Sequence, residues 1–453
     1  MRQVLPVLFI LIAVARASAQ PLSFTSETVD DTAYSATIVL KISDQNLPHL
    51  LFTGAVDAYG AGLHYMVRSG GQWTMVRSFA GGNSSLALDH EGRPHISYAN
   101  TRSGGIPDSL QYVTLDDSGW RYETIDLLVI WYFNSIAVDS QDEPHVVYRK
   151  VSNFGYPNES DLVYRRREAG AWTLGWSVFG APRSPSLAMD PGDDPCVIVA
   201  VNNGSLTPPT RYYHMVNGVV TGEDIGPKSY SGLISKLSID SAGHSHVAFF
   251  EGQSMDVWYG TRNDAGWSFE TVAARDQAGN VALALDAAGN PHIAFYDPAQ
   301  HELVYAHRDG GGWTEQTVET GVTVTLISIA VDGYGNPHMA YALQDLRLRY
   351  AVGQAPTSGV EPRKASEVSF GALHPNPSSG TASLSVALVE GTSVELQLYD
   401  VNGRLVASRP AEWLGTGRHV IGWRPELPTG GLYFLKARTT SGLVATRRWV
   451  VLR

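Results

Sequence analysis

Short apolar runs alternate with polar turns along most of the chain, and one phrase recurs. It is an apolar run, Asp, a few residues, Pro-His, then a second apolar run. It reads LALDHEGRPHISY from Leu86, IAVDSQDEPHVVY from Ile136, LALDAAGNPHIAFY from Leu283 and IAVDGYGNPHMAY from Ile329. Weaker copies begin at Leu40, Leu187 and Leu237. The His position falls at His49, His95, His145, Cys196, His246, His292 and His338, in steps of 46, 50, 51, 50, 46 and 46 residues. Self-similarity at this period marks stacked units, each too small to bury its own apolar surface.

Each copy holds four strand-like runs; in the copy from Val281 they are VALALD, PHIAFY, LVYAHR and WTEQTV. The third run carries an apolar residue two before a Tyr (Tyr65, Tyr112, Tyr164, Tyr259, Tyr305, Tyr350), and the fourth usually opens on Trp (Trp73, Trp120, Trp172, Trp267, Trp313). Four strands per copy, with turn residues between them, predict one propeller blade each. In the first run large residues flank a small one, as Leu86 and Leu88 flank Ala87. One sheet face is then bulky and the other thin, so neighbouring blades nest. The last copy stops after three runs, near Gly353. Phe24 to Val29 aligns with the fourth run Trp267 to Val272, so the N-terminal segment is expected to complete that blade. Closure removes two open sheet edges.

The predicted fold is all-β: a seven-bladed β-propeller followed by a small Ig-like β-sandwich. The propeller is expected at 20–353, with its closing strand at 22–30, then a linker rich in Pro, Ser and charge at 354–367 and the sandwich at 368–453. Residues 1–19 have Arg2, an apolar stretch and Ala17-Ser18-Ala19, the form of a cleaved secretory signal. No membrane span is expected in the mature chain, and its net charge of −11 argues against nucleic acid as a partner.

Asp-x-x-Gly between strands suits a type I turn with a left-handed Gly, the carboxylate accepting backbone N–H groups. Recurrence makes the pairs Asp89 and His95, Asp139 and His145, Asp240 and His246, Asp286 and His292, and Asp332 and His338 structural, with each His expected to bond to backbone. One His per blade around a ring does not gather metal ligands, so neither metal nor cofactor is expected. The acidic DPGDDP at Asp190 is a weak metal candidate, and Cys196, the only cysteine, is expected to be a buried thiol. Ligand contacts belong to the non-repeating insertions. DLLVIWYFNS from Asp126, RKVSNFGYPNESD from Arg149 and GPKSYSG place Trp131, Tyr132, Phe133, Phe154, Tyr156 and Tyr230 on the face opposite the Asp turns. Aromatic rings there suit stacking on sugars or anchoring a peptide. The plainer reading makes Trp131 to Phe133 a continuing buried strand.

The C-terminal stretch carries Pro375-Asn376-Pro377, the hairpin Tyr399-Asp400-Val401-Asn402-Gly403-Arg404, then Leu427-Pro428-Thr429-Gly430-Gly431-Leu432-Tyr433 and a basic last strand with Arg447 and Arg448. It resembles the type A sorting domain of the type IX (Por) secretion system; the Ig-like domain of flagellar hook-capping protein has a similar pattern. The resemblance implies export from a Gram-negative cell through outer-membrane secretion machinery, with surface attachment or release. The repeats superficially resemble sialidase and BNR propellers but lack their Ser-x-Asp-x-Gly-x-Thr-Trp box. Three functions stay open: an exported protein that binds a glycan or protein ligand, which is preferred, a secreted polysaccharide hydrolase or lyase, and a structural or adhesion role without a small ligand.

Overall fold

The computed structural model describes residues 21–31, 37–54, 62–101, 107–127, 134–151, 160–179, 182–201, 210–225, 236–250, 254–275, 279–308 and 312–355, and then 368–374, 376, 378–388, 391–401, 403–415, 417–427, 429–439 and 444–452. Among these residues every regular element is a strand. Seven antiparallel sheets of four strands come first. Their inner strands are Ile38–Ile42, Gly82–Leu88, Asn134–Val138, Pro182–Met189, Lys236–Ile239, Gly279–Leu285 and Val324–Val331, which number blades 1 to 7. Each inner strand touches the next, and Val324–Val331 touches Ile38–Ile42, so the ring is closed. The chain is the seven-bladed propeller its repeat predicts.

Blade 7 takes its outer strand from the other end of the chain. Ser23–Asp30 pairs antiparallel with Leu348–Gln354, Thr25 opposite Val352 and Glu27 opposite Tyr350. Phe24 lies opposite Gly353, where a Cβ would stand 2.6 Å from its ring. The ring of Phe24 meets Tyr305 edge-on at 5.5 Å, reaching blade 6. Glu27 reaches the other way, accepting from Arg68 Nε and Trp73 Nε1 of blade 1, each at 2.9 Å. The same latch recurs without the chain terminus: Glu123 accepts from Arg167 and Trp172, and Glu223 from Arg262 and Trp267.

Burial follows the bulky-on-thin rule. Seven separate cores fill the seven gaps between blades; one joins Leu40, Leu50 and Phe52 of blade 1 to Ala330, Ala340 and Tyr350 of blade 7. Stacking, rather than any single blade, therefore supplies the hydrophobic stabilisation, at about 25 cal/mol per Å² buried. Near the axis a serine adds a directed bond. Ser85, Ser135, Ser186 and Ser328 each accept, through Oγ, the backbone N–H of the next blade's inner strand, at Ile136, Leu187, Leu237 and Leu40.

The C-terminal unit is a two-sheet sandwich. Val368–His374, Ala382–Leu388 and Gly417–Trp423 form one sheet; Leu405–Leu414, Thr392–Tyr399, Gly431–Thr439 and Val444–Val451 form the other in that order. Between them lie Leu384, Leu396, Leu398, Leu435 and Trp449. The indole N–H of Trp449 donates to Ser378 Oγ at 2.7 Å, so its polar edge is satisfied in the core.

Candidate functional site

The repeated turn is built as its sequence requires. In blade 2 Asp89 N–H donates to the Arg93 carbonyl and Gly92 N–H to the Asp89 carbonyl. Asp89 Oδ1 accepts the N–H groups of Glu91 and Arg93. All seven turns repeat the left-handed residue: Asn46, Gly92, Asp142, Asp193, Gly243, Gly289 and Gly335 have φ between 58° and 86°. Asn and Asp tolerate that region better than other side chains, which explains the three departures from Gly.

Among the described residues, His95, His145, His246, His292 and His338 bond to side chains rather than to the backbone expected. They sit on the second strand, whose N–H and C=O groups are spent on ladders to both sides. Each ring finds side chains instead. His145 Nδ1 lies 2.6 Å from Tyr164 Oη and its Nε2 3.1 Å from Asp139 Oδ2. His246 repeats this with Tyr259 and Asp240, and His338 with Tyr350 and Asp332. A carboxylate only accepts, so Nε2 carries the proton and the tyrosine O–H donates to Nδ1. His95 and His292 keep the tyrosine, Tyr112 and Tyr305, at 2.8 and 2.7 Å. Their Asp89 and Asp286 carboxylates stand farther off, at 3.5 and 3.9 Å, held by Arg93 and Asn290. Burial, the largest influence, pushes the rings of His145, His246 and His292 below their ordinary pKa, His292 to about 4. These rings are neutral connectors inside the blades.

Blade 4 departs from the pattern. Cys196 replaces the His and is buried; burial pushes its thiol up to about 12. The missing bond to the turn carboxylate is restored from the third strand, where His214 Nε2 lies 3.0 Å from Asp190 Oδ2. Cys196 Sγ accepts from Tyr212 Oη at 3.1 Å. One ligand atom from each of Asp190, Cys196 and His214 lies within 4.8 Å of the others. That donor set suits zinc, and each group also has a protein partner.

The aromatic candidates Trp131, Tyr132, Phe133, Phe154, Tyr156 and Tyr230 lie outside the described residues. Several carboxylates described on the face opposite the Asp turns are paired. Asp126 Oδ2 accepts from Tyr148 Oη at 2.5 Å and Lys150 Nζ at 2.7 Å, with Arg165 at 3.5 Å. Burial opposes its ionisation, but the bonds from Lys150 and Tyr148 outweigh burial and hold it below the usual carboxylate range. Glu319 pairs with Tyr341 and Arg349. Arg275 bridges Asp297 at 2.7 Å and Glu315 at 2.6 Å. Among the described residues one carboxyl is held above its ordinary value, Asp194, by burial and then by Asp190; it sits on the turn face.

Residues 372–452 match the family described as Secretion system C-terminal sorting domain. The stretch is a type IX sorting domain, and the protein is secreted or displayed on the surface of a Gram-negative cell. Among solved structures, the Myceliophteria thermophila Cps50 (Swd1) β-propeller domain is similar at TM-score 0.49 and 11% identity, over 73% of this chain and 99% of that one. A protein of unknown function from Dyadobacter fermentans DSM 18053 gives 0.47 and 11%, over 75% and 99%. A polysaccharide lyase, the PL25 ulvan lyase, gives 0.48 and 13%, over 72% and 94%. Likeness at this distance carries no argument about ligand or activity. No curated protein sequence matches the chain.

Proposed function

We propose that the protein is an exported binding protein: the propeller is a platform for a glycan or protein ligand outside the cell, and the sorting domain is its address. The observation that supports this most is the occupation of its acid–base groups. In blades 3, 5 and 7 the repeated Asp and His side chains are tied to one another and to tyrosines. On the variable face, Asp126, Asp297 and Glu319 are each neutralised by a cation. A glycosidase needs one carboxyl raised to act as acid beside an ionised partner. A platform needs neither.

The proposed contacts are Trp131, Tyr132, Phe154, Tyr156 and Tyr230. The division into a removed leader 1–19, propeller 20–353, tether 354–367 and sorting sandwich 368–453 belongs to the same proposal. The test is a glycan array and a set of soluble polysaccharides offered to the mature chain. Saturable binding without new reducing ends or unsaturated products is expected, weakened by Trp131→Ala with Tyr156→Ala. Bond cleavage would replace this reading with the hydrolase or lyase one. Unchanged binding in the double variant would remove those two residues from the site.

A further inference from the structure

The seven inner strands line the central channel. Their sequences, IVLKI, GNSSLAL, NSIAV, PRSPSLAM, KLSI, GNVALAL and VTLISIAV, contain three charged residues, and all three are basic: Lys41, Arg183 and Lys236. The whole chain carries a net −11, so the wall of the channel is opposite in sign to the molecule.

Both lysines break the repeat. Lys41 faces His49 across the ladder, where the other blades place Ala87, Ala137, Ala188, Ser238, Ala284 and Ala330. Lys236 occupies the position from which Ser85, Ser135, Ser186 and Ser328 hold the next blade, so blade 5 gives up that bond. Neither lysine takes part in an ion pair or side-chain hydrogen bond among the described residues. Both side chains are solvent-exposed. Surrounding protein nonetheless desolvates both ammonium groups and lowers their pKa, and the charge of Lys41 lowers Lys236 further. Exposed and yet enclosed describes a side chain in a channel. Blades 1 and 5 are as far apart as a ring of seven allows, so the two lysines stand on opposite walls of the channel.

We propose that the channel holds an anion site, in which Lys41 and Lys236 clamp one oxyanion (a carboxylate, sulfate or phosphate group) from opposite walls. Two facing ammonium groups without a counter-charge repel, and low-dielectric walls strengthen that repulsion. An oxyanion between them relieves it and takes a charge-assisted hydrogen bond from each side. Lysine is a rotatable point charge rather than a planar fork, so it suits tetrahedral and planar oxyanions alike. The site deepens the binding reading by giving the ligand a charge, and rests on it only in making the oxyanion part of a larger ligand.

The experiment titrates the mature chain with sodium sulfate and with sodium glucuronate, ionic strength held constant with sodium chloride, by calorimetry and thermal melting. Saturable binding of one or both is expected. Stronger binding of sulfate points to sulfate esters and stronger binding of glucuronate to uronic acids. Affinity should fall at least about tenfold in Lys41→Met with Lys236→Met. Lys236→Glu, which sets a carboxylate opposite Lys41, should abolish binding and raise the melting temperature without anion; it carries the test alone if the double variant misfolds. Failure of both anions to bind, or equal affinity in the variants, overturns the site. Anion binding with a blank glycan array would sink the glycan reading and leave the site standing.

Discussion

A propeller lacking residues 21–30 should melt on the order of 10 °C lower than the intact one and aggregate on heating. The ten residues supply the fourth strand of blade 7, so their loss exposes the edge of Leu348–Gln354 to other chains. It also uncovers apolar surface around Tyr305 and Tyr350, where Phe24 and Val29 pack. Arg68 and Trp73 lose their common acceptor, Glu27. Burial of two apolar side chains at about 1.5–3 kcal/mol each, and several ladder bonds at about 1 kcal/mol net each, sum to roughly 5–10 kcal/mol. Stability of a whole domain is about 5–15 kcal/mol, so the lost strand takes a large share of it. Melting by fluorescence and light scattering reads both effects; an unchanged transition would show that blade 7 stands on three strands.

Acid should unfold the propeller in two stages, and His292 dominates the first. Its folded pKa of about 4 lies below the ordinary 6.5 because burial disfavours the imidazolium. Between those values the unfolded chain binds the extra proton, so stability is complete above about pH 6.5 and falls as pH drops toward 4. The loss from this ring alone is about 3 kcal/mol at about 1.4 kcal/mol per unit. A structural reason accompanies the number: protonation puts a hydrogen on Nδ1, where the Tyr305 hydroxyl already donates. His145 and His246 push the same way. The second stage belongs to carboxylates. Asp89 is held at about 2 by His95 and Arg93 against the cost of burial, so its contribution is present above about pH 4 and lost below it. His292→Gln keeps a donor and an acceptor without titrating. It should lose on the order of 5 °C less than wild type between pH 6.5 and 4. Parallel losses in both proteins would remove His292 from this role.

The blades were legible because their signal is local. An apolar run, a turn and Pro-His fall within about a dozen residues, and seven copies average out the drift around Cys196. The tyrosine partners were also within reach: Tyr164 pairs with Val147 while His145 pairs with Arg166, which puts ring and hydroxyl on one diagonal of the same face. Knowing that the second strand is central would have excluded the backbone bond in advance. The Arg–Trp–Glu latches were not legible in this way, because Glu123 and Trp172 are 49 residues apart and meet only once blades stack. Lys41 and Lys236 needed the register as well. In the sequence they are two of 33 basic residues; on inner strands free of acid they stand out.

The central claim is that the two ends of the propeller segment zip together in one chain. Thr25 and Val352 face each other across the closing ladder, a separation of about 5 Å that a disulfide spans. Cys196 is buried and does not compete. In Thr25→Cys with Val352→Cys, mild oxidation should give an intrachain disulfide, seen by mass spectrometry as one linked peptide pair, with a higher melting temperature than the reduced form. Free thiols after oxidation, or disulfides only between chains, would contradict the closed ring.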